Sequence, residues 1–447
     1  MKKKYLNTLL ALALLAGLWG GFTYYDKKKG ASSPDIKTES KTEEKVFLPD
    51  SSHIQSFTLT TKDAPPLTCR RDSGKWVIEA PQKLPADQQS ISTLLNSLSG
   101  ATVDQVVDAH PANLKDFGLD PVGTKLEVST DVRPAQFTLL LGDETPTSNG
   151  VYAQIGGNPR VVTLASYLKS SLVKTLFDLR DKRAMTLDAD QIQKIEVSSK
   201  EKDSSYTLEK NPEGVWDLAL PPSVRADSFA VSSLVNQLRD LSMTSVVSDD
   251  KKKTSEYGFG SPAFTLKLTG ASGSQTLVLG KKDGEKYDAM NSALDPIFTL
   301  NSSVLTQFQK KPADLRDKDI FSFESFNVTH LDVETPKGHW TFEKQKEKWK
   351  ETAPAKKDLV SGKMDELIEN VRSLRADSFP KEHPTDLAAF GLTKPGYRFE
   401  VQYGGKKEIG EAAKVGDHVY ARRSTDVVPS ELAKTSLDAI DKALSTF

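Results

Sequence analysis

"GKWVIEAP" (Gly74–Pro81) returns along the chain as "GVWDLALP" (Gly214–Pro221) and "EKWKETAP" (Glu347–Pro354), each a tryptophan followed five residues later by a proline. With Trp76, Trp216 and Trp349 taken as origins, an aromatic residue stands 41 positions on in every copy: Phe117, Tyr257 and Phe390. These open "FGLDP", "YGFGSP" and "FGLTKP", which carry Gly118, Gly258 and Gly391. Fifteen residues after each tryptophan an apolar pattern begins at i, i+3, i+4 and i+7: Ile91, Leu94, Leu95, Leu98; Val231, Leu234, Val235, Leu238; Met364, Leu367, Ile368, Val371. That spacing places four side chains on one face of a helix. Three landmarks at equal spacing in three copies identify a threefold internal repeat.

Before each tryptophan come two runs of alternating apolar and polar residues, such as "IQSFTLT" with "LTCRRD" and "IQKIEVSS" with "SYTLEK"; the third pair is "VTHLDVET" and "HWTFEK". Period-two alternation with turn residues between the runs predicts meander strands packed on one face. Further strands are expected after the Phe-Gly-Leu element, for example "TKLEVST" and "QFTLLLG". Asp87, Asp227 and Ser361 stand where they would cap the amphipathic helices. A terminal helix, "SYLKSSLVKTLFDLRDK" or "SVLTQFQKKPADLRDK", closes the first two copies on Leu-Arg-Asp-Lys. The third copy lacks that tetrapeptide, which assigns it to the junction with a following copy. The chain thus reads as α+β: three tandem antiparallel-sheet-plus-helix repeats over 46–185, 186–322 and 323–447, each of roughly 130 residues and able to hold its own core.

The amino terminus sets the expected location. An uncharged run of 21 residues, Tyr5 to Tyr25, lies between Lys2–Lys4 and Lys27–Lys29. As a helix it would span the ~30 Å hydrocarbon core. It is longer than a signal-peptide core and ends in Trp19, Phe22, Tyr24 and Tyr25, residues suited to a membrane interface. Residues 1–25 therefore read as an uncleaved signal anchor. Lysines flank both ends, so charge alone does not orient it; a short basic tail held inside leaves the body extracytoplasmic. "DKKKGASSPDIKTESKTEEK", residues 26–45, has almost nothing to bury and reads as a disordered tether.

Composition narrows the function. With 60 basic and 61 acidic residues, the net charge of −1 provides no field for nucleic acid. A single cysteine, Cys69, can form neither an intrachain disulfide nor a Cys-x-x-Cys metal knuckle. The six histidines are scattered, and no zincin, nucleophile-elbow or calcium-loop pattern accompanies them. No metal, cofactor or catalytic residue is expected.

The residues left to weigh are the repeat landmarks. Trp76, Trp216 and Trp349 could stack on sugars, but strand alternation puts Trp76 with Ile78, and Trp216 with Leu218, on a single face, which favours the core. Gly118, Gly258 and Gly391 read as helix-ending residues with positive φ rather than a phosphate cradle. Arg180, Asp181, Arg316 and Asp317 read as ion pairs joining the last helix of one copy to the first strand of the next.

Lys75, Trp76, Pro85, Ala86, Asp87, Phe117, Gly118, Leu119 and Pro121, with Leu-Arg-Asp-Lys at 179–182 and 315–318, resemble a bacterial family known as domain of unknown function 4340. The resemblance covers nearly all of the chain after the tether. The third copy departs from it, reading "APAKKDLVSGKM" where the Pro-Ala-Asp element belongs. The resemblance implies a membrane-anchored accessory of ABC-type export or gliding-type envelope systems, without an ATPase of its own. Together these readings lead to a non-enzymatic interaction protein whose partner is an envelope protein such as an ABC permease. Binding of a cell-envelope glycan is the alternative.

Overall fold

The computed structural model describes residues 44–47, 49–220, 222–249, 251–359, 361–380 and 386–447. The expected anchor and almost all of the expected tether lie outside them. No helix among the described residues is long and apolar enough to cross a membrane. The chain divides into two compact units, Met1–Asp181 and Lys182–Phe447. The first holds one nine-stranded antiparallel sheet and the second holds two.

In the first sheet, β1 (Ile54–Thr61), β2 (Ala64–Asp72), β3 (Lys75–Ala80) and β4 (Leu84–Pro85) form one meander. Helix α1 (Gln88–Ser99) then carries the chain across to β5 (Gln105–Asp108) at the opposite edge. A second meander follows: β6 (Thr124–Thr130), β7 (Gln136–Glu144), β8 (Gly150–Ile155) and β9 (Val161–Ala165). β1 and β6 pair at the centre, giving the order β4-β3-β2-β1-β6-β7-β8-β9-β5. The other two sheets repeat this order strand for strand.

Alternation builds the core. Ile54, Phe57 and Leu59 of β1 and Leu126 and Val128 of β6 turn one face inward, where Ile91, Leu94, Leu95 and Leu98 of α1 cover it. Burial of each such side chain stabilises the unit by about 1.5–3 kcal/mol. The second helix buries Val231, Leu234 and Leu238, with Val235 half-buried, and the third buries Met364, Leu367, Ile368 and Val371. Asp87 accepts the amides of Gln89 and Ser90, and Asp227 those of Phe229 and Ala230, as N-caps do. The side chain of Ser361 lies outside the described residues.

Two expectations change. Among the described residues the chain is mostly β, with a single twelve-residue helix in each repeat, so α+β overstates the helical share. The short edge strands Gln105–Asp108, Ser245–Ser248 and Ala376–Ser378 pair only after the chain has crossed the sheet, and no alternation announces them. The single terminal helix is in fact two short turns: α2 (Tyr167–Leu172) and α3 (Leu176–Leu179) in the first repeat, Ser303–Phe308 and Pro312–Leu315 in the second. Thr175 begins a new turn with a capping box, and Pro312 cannot continue the preceding one.

Candidate functional site

The Leu-Arg-Asp-Lys tetrapeptide leaves the helix at its leucine and becomes extended. The Asp87 amide donates to the Leu179 carbonyl and the Asp181 amide to the Pro85 carbonyl, both at 2.9 Å. In the second repeat the Asp227 amide donates to Leu315 and the Asp317 amide to Arg225, at 2.8 and 3.0 Å. The leucine and aspartate of the tetrapeptide therefore bind the helix-start segment of their own repeat. Its lysine and the residues after it bind the next repeat: Ala184 and Met243 exchange bonds with Leu241 and Lys182, and Ile320 and Ala376 with Leu374 and Lys318. The segment leading into each later sheet is thus laid against the stretch that follows that sheet's own helix. In the first repeat Val46 and Val103 do the same with Ala101 and Glu44.

In the second repeat, Asp317 pairs with Arg225 of its own repeat at 2.7 Å rather than with the first strand of the next. Arg225 also reaches Asp426 at 3.7 Å. Arg316 is 5 % exposed, and its guanidinium lies 3.7 Å from the centre of the Phe379 ring. Burial pushes its pKa down to about 10, against the attraction of Asp426. Arg225, Arg316, Asp317 and Asp426 line a cavity of about 60 Å³ with Asp319 and Ser430, between the second and third sheets. Arg180, the counterpart of Arg316, is also 5 % exposed.

One position differs in chemistry from sheet to sheet. Phe137, Gln275 and Glu408 are equivalent by register, each four residues before the partner of the first residue in the central strand: Leu141 opposite Thr124, Leu279 opposite Phe264, Ala412 opposite Tyr397. Phe137 packs edge-on against Phe47 at 5.0 Å. The Gln275 carbonyl oxygen accepts the amides of Thr186 and Leu187 at 3.0 and 3.3 Å. Glu408 accepts the Ser322 amide at 2.9 Å and the Ser322 hydroxyl. The neighbouring position holds Ile155, Asn291 or Arg423. Asn291 donates to the Ala184 carbonyl at 2.7 Å, and Arg423 to the Ile320 carbonyl at 2.6 Å. The leading segment is held by apolar contact in the first repeat, by amides in the second and by charged groups in the third.

The structure also places the other landmarks. Trp76 and Trp349 are 5 % and 4 % exposed, whereas Trp216 is half-buried. Each faces a cation directly across the strand pair: Arg71, Lys344 and Lys210 respectively. The Arg71 guanidinium and the Lys210 ammonium lie 5.2 Å from the ring centres of Trp76 and Trp216. Gly118, Gly258 and Gly391 have φ of 66°, 77° and 70°, which a side chain resists. Phe117 and Phe390 pack edge-on against Tyr152 and Tyr420 at 5.1 and 4.9 Å. Tyr257 instead lies 6.1 Å from Phe259, the buried replacement for Leu119 and Leu392. Two glycines were missed by sequence reading. A Cβ on Gly142 or Gly280 would stand 2.1 or 2.0 Å from the Phe117 or Tyr257 carbonyl oxygen, so the Phe-Gly-Leu turn rests directly on bare backbone.

Reactive chemistry is sparse. Cys69 is buried, and desolvation pushes its thiol up to about 12. Among the described residues, Asp332, Glu334 and His339 bring ligand atoms within 4.8 Å of one another. The Asp332 carboxylate there already accepts the Thr341 hydroxyl and pairs with the His339 ring, both at 2.8 Å.

The family described as Domain of unknown function (DUF4340) matches residues 76–223 and 216–395, more than half of the chain. The chain belongs to this family. As a DUF4340 protein it carries the shared pattern in overlapping copies, and the two matches begin on the equivalent residues Trp76 and Trp216. Neither a curated protein nor a solved structure matches the chain.

Proposed function

We propose that this DUF4340 protein is a non-enzymatic interaction protein, anchored by residues 1–25 on the outer face of a bacterial cytoplasmic membrane. The observation carrying this reading is the use made of the recurring polar residues. Arg-Asp, the caps, and the Phe137, Gln275 and Glu408 position all hold backbone or packing within a repeat or between neighbouring ones. Three sheets of one topology with divergent surfaces supply docking area rather than one reacting centre. The partner we propose is an envelope membrane protein such as an ABC-type permease, a choice grounded in the family resemblance.

Glycan binding is the second reading, and the buried tryptophans weaken its original motive. Trp76 and Trp349 offer no open face to a sugar, so the reading turns to exposed aromatics such as Tyr167, Phe229 and Phe326, which are 60 %, 87 % and 76 % exposed. Crosslinking in living cells, detergent extraction and mass spectrometry of captured material test the proposal. Reproducible recovery of a permease and its ATPase supports it. Glycan retained with no protein partner rejects it.

A further inference from the structure

One core position differs in size among the repeats. Across the first strand pair of each sheet, Leu59 faces Leu67, Val197 faces Tyr206, and Val333 faces Trp340. The central register makes the three pairs equivalent, since Leu59, Val197 and Val333 oppose Leu126, Leu266 and Phe399 of the neighbouring strand. Tyr206 is buried, and its hydroxyl donates to the Phe308 carbonyl at 2.9 Å, at the end of the short terminal helix. Trp340 packs against the third core, its indole lying close over Gly338. A phenol and an indole therefore fill this corner in the second and third sheets.

In the first sheet Leu67 is too short to do so, and a cavity of about 420 Å³ remains. Leu59, Pro65, Leu67, Pro81, Val173 and Leu176 supply its apolar lining. Ala64, which also lines the cavity, is the counterpart by register of Gly338, over which the Trp340 indole runs, since the two oppose Thr61 and Thr335; Val173 follows Leu172, the counterpart of Phe308. The cavity is thus lined by, or adjoins, the counterparts of residues that the Tyr206 and Trp340 rings touch in the sister sheets. Its size falls within the usual range for small-molecule sites, and mostly apolar walls are typical of them.

We propose that this cavity is a binding site for an uncharged aromatic ring, a phenol or an indole, supplied from outside the chain. Strand pairing gives it the frame that seats Tyr206 and Trp340, and its short terminal helix corresponds to the one that accepts the Tyr206 hydroxyl. A phenol following the Tyr206 path meets the Leu172 carbonyl in place of that of Phe308. The site does not depend on the docking role proposed above.

Ligand-observed saturation-transfer NMR on the full-length protein in detergent, with indole and p-cresol as probes, tests it. Saturable binding of both is expected. Leu67→Trp and Leu67→Tyr, which install the rings of the sister sheets, should weaken it at least tenfold without lowering Tm. An indole carrying a photoreactive diazirine should label peptides containing Leu59, Pro65, Val173 or Leu176, a readout independent of whether either variant folds. A blocked Ala-Trp-Ala peptide distinguishes the source: tighter binding than indole points to a polypeptide side chain, and weaker binding to a free small molecule. Absence of saturable binding, unchanged affinity in a folded Leu67 variant, or labelling confined to other peptides overturns the proposal.

Discussion

Glu408 in the third sheet stands where Gln275 stands in the second, and each accepts a backbone amide of the segment leading into its own sheet: Ser322 at 2.9 Å and Thr186 at 3.0 Å. The bond is conserved in geometry while the charge is not. Burial acts to raise the Glu408 pKa, but bonds from Ser322 and the charge of Arg423 outweigh it and hold the carboxyl below its ordinary value. A carboxyl depressed in the folded state stabilises above its unfolded pKa and loses that contribution as pH falls through the folded value. Urea denaturation should therefore show wild type losing stability below about pH 4.5, with Glu408→Gln losing less over the same window. At pH 7 the glutamine variant should cost about 1 kcal/mol. Glu408→Ala should cost roughly 3 kcal/mol, because it removes the bonds to Ser322 together with the carboxylate that pairs with the buried Arg423.

The three tryptophans should separate by burial. Trp76→Ala and Trp349→Ala should each destabilise their repeat by ~3–5 kcal/mol. Trp216→Ala, at a half-buried site, should cost about half as much. Thermal unfolding of the three variants measures the order, and an equal loss in all three would contradict it.

Gly142→Ala and Gly280→Ala should each cost about 1–3 kcal/mol, since the added methyl meets the carbonyl of the Phe-Gly-Leu turn. Gly156→Ala is not a clean control, because Gly156 has a φ of 60°. Gly260→Ala is a better one, for a Cβ there meets nothing within 4 Å and φ is not in the left-handed region. Chemical denaturation should find the control within ~0.5 kcal/mol of wild type.

Arg316 acts as a planar cation over Phe379, so a lysine should not replace it. Arg316→Lys and Phe379→Leu should each lower stability by about 1–2 kcal/mol, and the double variant should lose less than their sum if the contact is direct. A double-mutant cycle measures the coupling.

Cys69 should resist maleimide at pH 7.5 in the native protein, because its thiol is buried and pushed up to about 12. Labelling should become fast in urea at the unfolding transition, and rapid native labelling would contradict the buried site.

Read alone, the sequence determined the repeat, the amphipathic helices and their aspartate caps, because these depend on local periodicity and on side chains reaching nearby amides. Trp76, Asp87 and the Ile91–Leu98 stripe declare themselves within some twenty residues of chain. Long-range pairing declared itself less well. Only the tertiary structure put β1 beside β6, sent α1 across to an edge strand without alternation, and turned Arg-Asp back onto the helix start of its own repeat. The Phe137, Gln275 and Glu408 exchange was illegible because an apolar, an amide and a charged side chain have only their register in common. The Leu67 cavity was illegible for a related reason: a missing ring is visible only once Tyr206 and Trp340 are seen to occupy the same place. Pattern reveals what neighbours along the chain must do, while contacts made across a sheet depend on which strands the fold brings side by side.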